Sequence, residues 1–254
     1  MLRKNKKWIA ILLLIGTMVL LAGCSPGISD TTSTEDLKEG NIFKRYLVYP
    51  LSWSLDKIAD ILGGQYGLSI LVVTIVIRFV VLPLNIKQYN STKAMQKLQP
   101  ELQNIKKKYK DDAKKQQEET MKIFQQNNVN PLAGCFPLII QMPILIALYY
   151  AIVGNPDIRS HSFLWMELGQ KDPFYILPIL AAITTFAQQK IMSKYTPANP
   201  QMQAILMIFP VLIFVMSMNF PAAMPLYWVY GNIFTIVQTY FIYGRGSQEG
   251  GLSK

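Results

Sequence analysis

Charge is scarce in this chain. Asp, Glu, Lys and Arg together make up 16% of its 254 residues, against about 25% in an ordinary soluble domain. The deficit is uneven, because several long stretches carry one charge or none. That distribution excludes a soluble globular domain and predicts a polytopic membrane protein. Cysteine and histidine are nearly missing too. Cys24, Cys135 and His161 are all there is, too few and too dispersed for a disulfide framework or a Cys/His metal site. No glycine-rich phosphate loop, His pair at metal spacing or nucleophile–base pair occurs, so neither an enzyme nor a cofactor is implied. His161 falls in a loop and is read as incidental. No internal repeat is visible, which leaves an inverted-repeat transporter without support.

The first segment looks like a processing signal. Arg3, Lys4, Lys6 and Lys7 precede an apolar stretch, Trp8 to Leu21, and Leu21-Ala22-Gly23-Cys24 follows. A basic start, a short apolar run and small residues before a cysteine resemble a bacterial lipoprotein signal over 1–23, with Cys24 lipidated on the outer face. The alternative is a first transmembrane helix with an incidental cysteine. Residues 24–41, rich in Ser, Thr, Asp and Glu, read as a flexible tether.

Beyond the tether, Phe43, Leu47, Leu51, Leu55, Ile58 and Leu62 recur at helical spacing with Asp56, Lys57 and Asp60 between them. This predicts an outer amphipathic helix over 42–65, with Trp53 near the headgroups and Pro50 near the helix start. A first transmembrane helix follows at 66–86. Residues 87–130 are polar, and 131–243 hold four more apolar runs: Pro131–Val153, Phe174–Gln189, Gln203–Met218 and Ala222–Tyr243. The expected fold is all-α, with five transmembrane helices, a cytoplasmic helical hairpin and a cytoplasmic tail at 244–254.

Charge fixes the orientation. Residues 24–61 carry four bases and six acids, Lys87–Asn130 ten bases and five acids, and 154–173 two bases and three acids. Lys190–Met202 is net +2 and the tail from Gly244 net +1. Every basic segment falls on one side if five spans alternate, and basic residues collect in the cytoplasm. This agrees with an outer Cys24 and with a multi-pass protein of the bacterial plasma membrane whose C-terminus is cytoplasmic.

Within the polar segment Met95, Leu98, Leu102, Ile105 and Tyr109 step by three and four, the spacing of a two-helix seam. Lys106, Lys107, Lys108 and Lys110 suit the end of a first helix. Pro100 should kink or break that helix, and Asp111-Asp112 should turn the chain and cap a second. Such a hairpin is either a solvated charged element or a docking surface for anionic lipid or ribosomal RNA.

One charge remains inside the apolar runs. Arg78 lies in Ile75-Val76-Ile77-Arg78-Phe79-Val80. An arginine near the bilayer centre costs about 2.5–3.5 kcal/mol on insertion scales. No Asp or Glu occurs in any other apolar run. Arg78 therefore needs either water in a recess open to the cytoplasm or a snorkelling path along the lipid face. Gln141, Thr184, Thr185, Gln188, Gln189, Asn232 and Gln238 are candidates to line such a recess or to bond helix to helix. Tyr227 and Trp228 fit groove, packing or interface positions equally. Methionines gather in the last three spans, from Met192 to Met224, as core filler or as an adaptable apolar surface.

Taken together, Met95-Gln96-Lys97-Leu98-Gln99-Pro100-Glu101, Lys108-Tyr109-Lys110-Asp111-Asp112, Val129-Asn130-Pro131-Leu132-Ala133-Gly134-Cys135-Phe136-Pro137 and Gln141-Met142-Pro143-Ile144 resemble the YidC/Oxa membrane insertase family. Within it they resemble the Gram-positive lipoproteins of the YidC/SpoIIIJ type. The resemblance covers about Ile42 to Tyr243. It implies an insertase and chaperone that moves nascent membrane proteins into the lipid through a hydrated groove, alone or beside the Sec translocon and targeting machinery. It implies that Arg78 is the groove arginine and that Gln188 and Trp228 line the client-binding groove with it. The tail after Tyr243 is 11 residues long, so ribosome binding through a long basic tail is not expected. A small-anion transporter with Arg78 as its substrate site is the competing reading.

The charge alternation makes a direct prediction. Protease added to intact protoplasts should leave Lys87–Asn130 uncut and remove the outer tether. Cleavage within Lys87–Asn130 under those conditions would reverse the orientation.

Overall fold

The computed structural model describes residues 34–127, 129, 136–193 and 200–249. The signal segment, Cys24 and the tether up to residue 33 lie outside the described residues.

A 3-10 turn, Asp36–Glu39, leads into a π turn, Lys44–Val48, and then into α1, Tyr49–Ile61. Pro50 stands in the first turn of α1, where its missing N–H costs nothing. The buried stripe is Val48, Ser52, Leu55 and Ala59, flanked by Phe43, Leu47, Leu51 and Ile58. It is offset by about one residue from the apolar stripe of the sequence. The π turn adds a residue to its turn, and small Ser52 and Ala59 let α1 approach its neighbours closely. Trp53 stays exposed. Gly63 and Gly64, at φ 68° and 88°, adopt backbone angles that side chains rarely tolerate and turn the chain into α2.

Helix α2, Tyr66–Lys97, is 32 residues long, about 48 Å at 1.5 Å per residue. It does not stop at Ile86, where the sequence turns polar. Lys, Gln, Ala and Met are good helix formers, so the change in polarity leaves the helix itself unbroken. The break comes at Leu98, and Pro100 opens a new helix, α3, Gln99–Lys108. After a turn, α4 spans Ala113–Gln126, and Asp112 caps it by accepting from the Lys115 N–H at 3.0 Å. Helices α3 and α4 pack on each other, with Leu98 buried and Leu102, Ile105 and Tyr109 half-buried.

Next come α5, Phe136–Gly154, a short α6, Pro156–Ser160, and a two-stranded hairpin of β1, Ser162–Phe163, and β2, Met166–Glu167. The strands pair antiparallel, Ser162 with Glu167 and Phe163 with Met166. Then follow α7, Ile176–Ser193, α8, Pro200–Ser217, and α9, Ala223–Glu249. Helix α9 is central, packing on α7 and α2, while α8 packs on α7. Helix α5 is held differently. It packs on α1 and the π turn, and its contacts with the other long helices are slight.

The buried core is lopsided. Ile70 and Val73 of α2, Leu148 and Ile152 of α5, Leu177 and Ala181 of α7, and Ala223 to Val229 of α9 are buried together with Ile158, Met166 and Leu168. All lie at the end of the bundle that carries α1 and the short strands, the cap end. Toward the opposite end, where α2 leads into α3 and α4, fully buried apolar side chains are few among the described residues. Around the outside, Phe79 and Val80 of α2, Ile183 and Phe186 of α7, and Ile208 and Val211 of α8 are exposed. Such a belt is stable only against an apolar solvent. Among the described residues α2 alone is long and apolar enough to cross a bilayer by itself; the described apolar parts of α5 and α8, Ile140–Gly154 and Met207–Ser217, are shorter.

Two carboxylates tie the cap together. Asp56 of α1 accepts from Thr34 Oγ1 at 2.7 Å, Tyr66 OH at 3.1 Å and Asn155 Nδ2 at 2.7 Å. It thereby joins α1 to the start of α2 and to the loop after α5. Asn155 in turn caps α6 through the N–H groups of Asp157 and Ile158. Asp172, itself buried, accepts from Trp165 Nε1 and from the N–H groups of Phe174 and Leu177. Residues Gln170 and Leu168 then accept from the first N–H groups around α9, Ala222 and Ala223.

Asp56 joins three separate segments through its side chain, Thr34, the start of α2 and the loop after α5. Asp56→Ala leaves three donors without their acceptor, and each buried donor so stranded costs about 1–3 kcal/mol. Thermal unfolding of the detergent-solubilised chain should show a lower midpoint for Asp56→Ala, with Asp56→Asn, which keeps one acceptor oxygen, in between. An unchanged midpoint for Asp56→Ala would remove Asp56 from this role.

Candidate functional site: a polar recess around Arg78

Arg78 sits three turns into α2 and is half-buried. Its guanidinium lies against the backbone of α9. A Cβ placed on Gly231 would stand 2.5 Å from Arg78 Nη2, so only glycine leaves room for the group to lie there. Among the described residues no carboxylate pairs with Arg78. A cavity of about 40 Å³ opens beside it, lined by Ile77, Arg78, Val81 and Asn85 of α2 and by Ile140, Gln141 and Ile144 of α5. That is space for one or a few water molecules, since one water needs about 10–15 Å³ measured in this way. Arg78, Gln141 and Asn85 give those waters polar partners. A charge too costly for hydrocarbon thus lies beside a small polar cavity between α2 and α5, two helices that pack little on each other among the described residues.

Gln141 also crosses the recess. Its Nε2 donates to the hydroxyl of Tyr227 on α9 at 2.6 Å. Tyr227 is 1% exposed and stands one helical turn before Gly231, toward the cap. The recess is therefore closed at the cap end by a hydrogen bond and the packed core behind it.

A second polar seam runs between α7 and α9. Asn232 Nδ2 donates to Thr184 Oγ1 at 3.0 Å and Thr185 Oγ1 at 2.8 Å. One turn or two further on, Thr239 Oγ1 donates to Met192 Sδ at 3.4 Å. Gln188, half-buried, lies on α7 between these two contacts. These residues bond helix to helix, as small polar groups in apolar bundles do. Gln238 Oε1 and Ser217 Oγ are buried without a partner.

The structure thus brings Arg78 and Gln141 to one recess. Gln188 stands on the neighbouring α7–α9 seam. Trp228, 9% exposed, packs in the cap core with its ring 6.0 Å from Phe220. Cys24 lies outside the described residues. His161 is a packing residue, its ring edge-on to Tyr66 at 5.5 Å. Asn85 and Gly231 escaped the sequence reading as site residues, and Tyr227 was read there as fitting groove, packing or interface alike. Gly231 gave no signal, because a glycine in an apolar run has many ordinary explanations. Tyr227 was visible as a polar handle, but its partner lies 86 residues away.

The same constellation can be set beside known proteins. Residues 57–249 match the family described as 60Kd inner membrane protein. Membrane protein insertase MisCA of Bacillus subtilis is 51% identical over 245 residues, which is 94% of this chain and 92% of that protein. Membrane protein insertase YidC 2 of Bacillus anthracis is 49% identical over 258 residues, 98% of this chain and all of that one. The fold resembles the crystal structure of an active YidC insertase with its first transmembrane domain resolved, at a TM-score of 0.63 and 27% identity, covering 79% of this chain and 48% of the larger insertase. An apolar-belted bundle with an arginine in a polar recess, matched at this identity over nearly its whole length, belongs to the membrane insertase family of 60Kd inner membrane proteins.

Proposed function

We propose that this chain inserts nascent membrane proteins into the bacterial plasma membrane through the recess around Arg78. Five spans, α2, α5, α7, α8 and α9, cross the bilayer. The α3–α4 hairpin and the C-terminus face the cytoplasm, and α1 lies on the outer surface, with Cys24 as a lipid anchor before it. The observation that carries the reading is the one-sided packing of the bundle: dense at the cap, with an unpaired arginine beside a small polar cavity further along α2.

The problem is one of barrier height. An apolar client helix already prefers lipid, by about 0.3–0.6 kcal/mol for each central Leu or Ile. Its polar flank must still cross about 30 Å of hydrocarbon. A recess that admits water partway from the cytoplasm shortens that path, while the cap core keeps the membrane sealed. Arg78 offers a passing carboxylate a partner worth about 4 kcal/mol at 4 Å with an effective dielectric near 20, before desolvation is subtracted. The membrane potential then drives the negative charge outward by about 2.3 kcal/mol per 100 mV. Gln141 and Tyr227 mark the inner limit of water, and their hydrogen bond must open for a polar flank to pass. The exposed apolar side chains of α2 and α8 give the client helix a surface to leave along. Gln188 and Trp228 support the site from the α7–α9 seam and the cap. The α3–α4 hairpin carries a basic, solvated surface suited to targeting machinery or the ribosome, and the Sec translocon is a partner for clients with large outer domains. A small-anion transporter fits less well, because a single cation beside about 40 Å³ leaves little room for a solute.

Two outcomes test the charge mechanism. In proteoliposomes, Arg78→Ala should slow insertion of a client with an acidic outer tail by about an order of magnitude, equivalent to 1.4 kcal/mol of barrier. A matched client without tail carboxylates should be affected less, and Arg78→Lys should keep much of the activity. Equal rates for wild type and Arg78→Ala on the acidic client would exclude the ion-pair step.

Gly231→Ala tests the placement of the guanidinium. The added Cβ meets the far end of a flexible side chain, so the fold should persist with an unchanged unfolding midpoint. Insertion of the acidic client should fall between wild type and Arg78→Ala. Wild-type rates for Gly231→Ala would mean that the guanidinium works equally well without its glycine berth.

A further inference from the structure

On the cap face, away from the Arg78 recess, lies a larger cavity of about 400 Å³. Its walls divide in two. Tyr149 and Val153, in the last turns of α5, form an apolar side. Arg159, Gln170, Lys171 and Asn219 form a polar side. Arg159 and Lys171 bring two positive charges, and among the described residues neither forms an ion pair. The nearby carboxylate of Asp172 is taken up by Trp165 and two backbone N–H groups.

The polar side is built rather than incidental. Gly169 N–H donates to the Arg159 carbonyl at 3.2 Å, and a Cβ on Gly169 would meet that carbonyl at 2.5 Å. Gln170 accepts from Ala222 N at 2.6 Å, and Lys171 Nζ donates to Asn219 Oδ1 at 3.4 Å. The loop that carries Lys171 is thereby pinned to the start of α9, to the end of α8 and to α6, which carries Arg159. Two exposed cations beside an apolar wall on the cap face match one kind of molecule: an amphiphile with a phosphate at its polar end.

We propose that this cavity binds the phosphate of an anionic phospholipid of the outer leaflet, with Arg159 and Lys171 as its ligands and Tyr149 and Val153 against the glycerol and upper acyl chain. The site rests on the outer placement of the cap given above. Its occupant would wedge between α5 and the α9 cap, steadying the helix that borders the recess.

The test uses the full chain in a neutral detergent, equilibrated with phosphatidylglycerol or phosphatidylcholine and read by native mass spectrometry. Wild type should retain one phosphatidylglycerol and little phosphatidylcholine. Arg159→Gln/Lys171→Gln, both at exposed positions, should reduce retention about tenfold or more. Lys57→Gln, at an outer lysine paired with Asp60, should retain it as wild type does. Equal retention by the double variant, or equal retention of the two lipids, would overturn the proposal. So would displacement by inorganic phosphate at the lipid's own concentration, which would make the cavity a free-anion site. Client insertion by the same preparations separates the two readings. Lipid retention lost with insertion kept leaves the Arg78 recess standing, and failed insertion with lipid retention kept removes the recess mechanism alone.

Discussion

A guanidinium without a carboxylate, set three turns into an apolar helix, governs how the rest of this bundle is arranged. Lipid cannot solvate Arg78, and no acidic side chain among the described residues neutralises it. A charge so placed calls for polar surroundings, and the small cavity between α2 and α5 has room for water. The structure meets that demand by holding α5 to α1 and the π turn instead of packing it along α2. What the seam beside Arg78 loses in packing, the cap restores, with Asp56, Asn155 and Asp172 joining distant segments by hydrogen bonds. Polar joints of this kind belong at the wet end of a bundle. Nearer its middle, the same service falls to weaker neutral contacts such as Asn232 with Thr184 and Thr185.

Much of this was legible in the sequence because charge is so rare in it. Where almost nothing is charged, Arg78 stands out, and so does the run of lysines from Lys106 to Lys110. Asp112 as a helix cap followed from the turn chemistry alone. Helix ends were harder. Polarity rises at Lys87, but the backbone stays helical to Lys97 and breaks only just before Pro100, whose missing N–H and bulky ring bar it from a helix interior. Hydropathy reports where lipid stops, and it says little about where a helix stops.

The site itself was half legible. Arg78 and Gln141 were recognisable as polar groups in apolar surroundings, and they share one recess. Gly231 was not, since its contribution is the absence of a side chain beside Arg78. Trp228, a large aromatic with a polar edge, was compatible with several positions, and only the packing of α9 against the cap assigns it to the core. The offset stripe of α1 has a similar origin: a π turn is invisible to a period of 3.6.

Pro83 stands inside α2 between Arg78 and the hairpin. Proline removes one backbone hydrogen bond and lets a helix bend at that point. From Pro83 to Lys97 the helix is an arm of about 21 Å, so a bend of about 15° there swings its tip through about 5 Å. The arm can swing while the part of α2 that holds Arg78 stays locked to the cap. The α3–α4 hairpin and the Arg78 recess are in this way mounted on one continuous rod with a joint between them, and loads on the first need not disturb the alignment of the second.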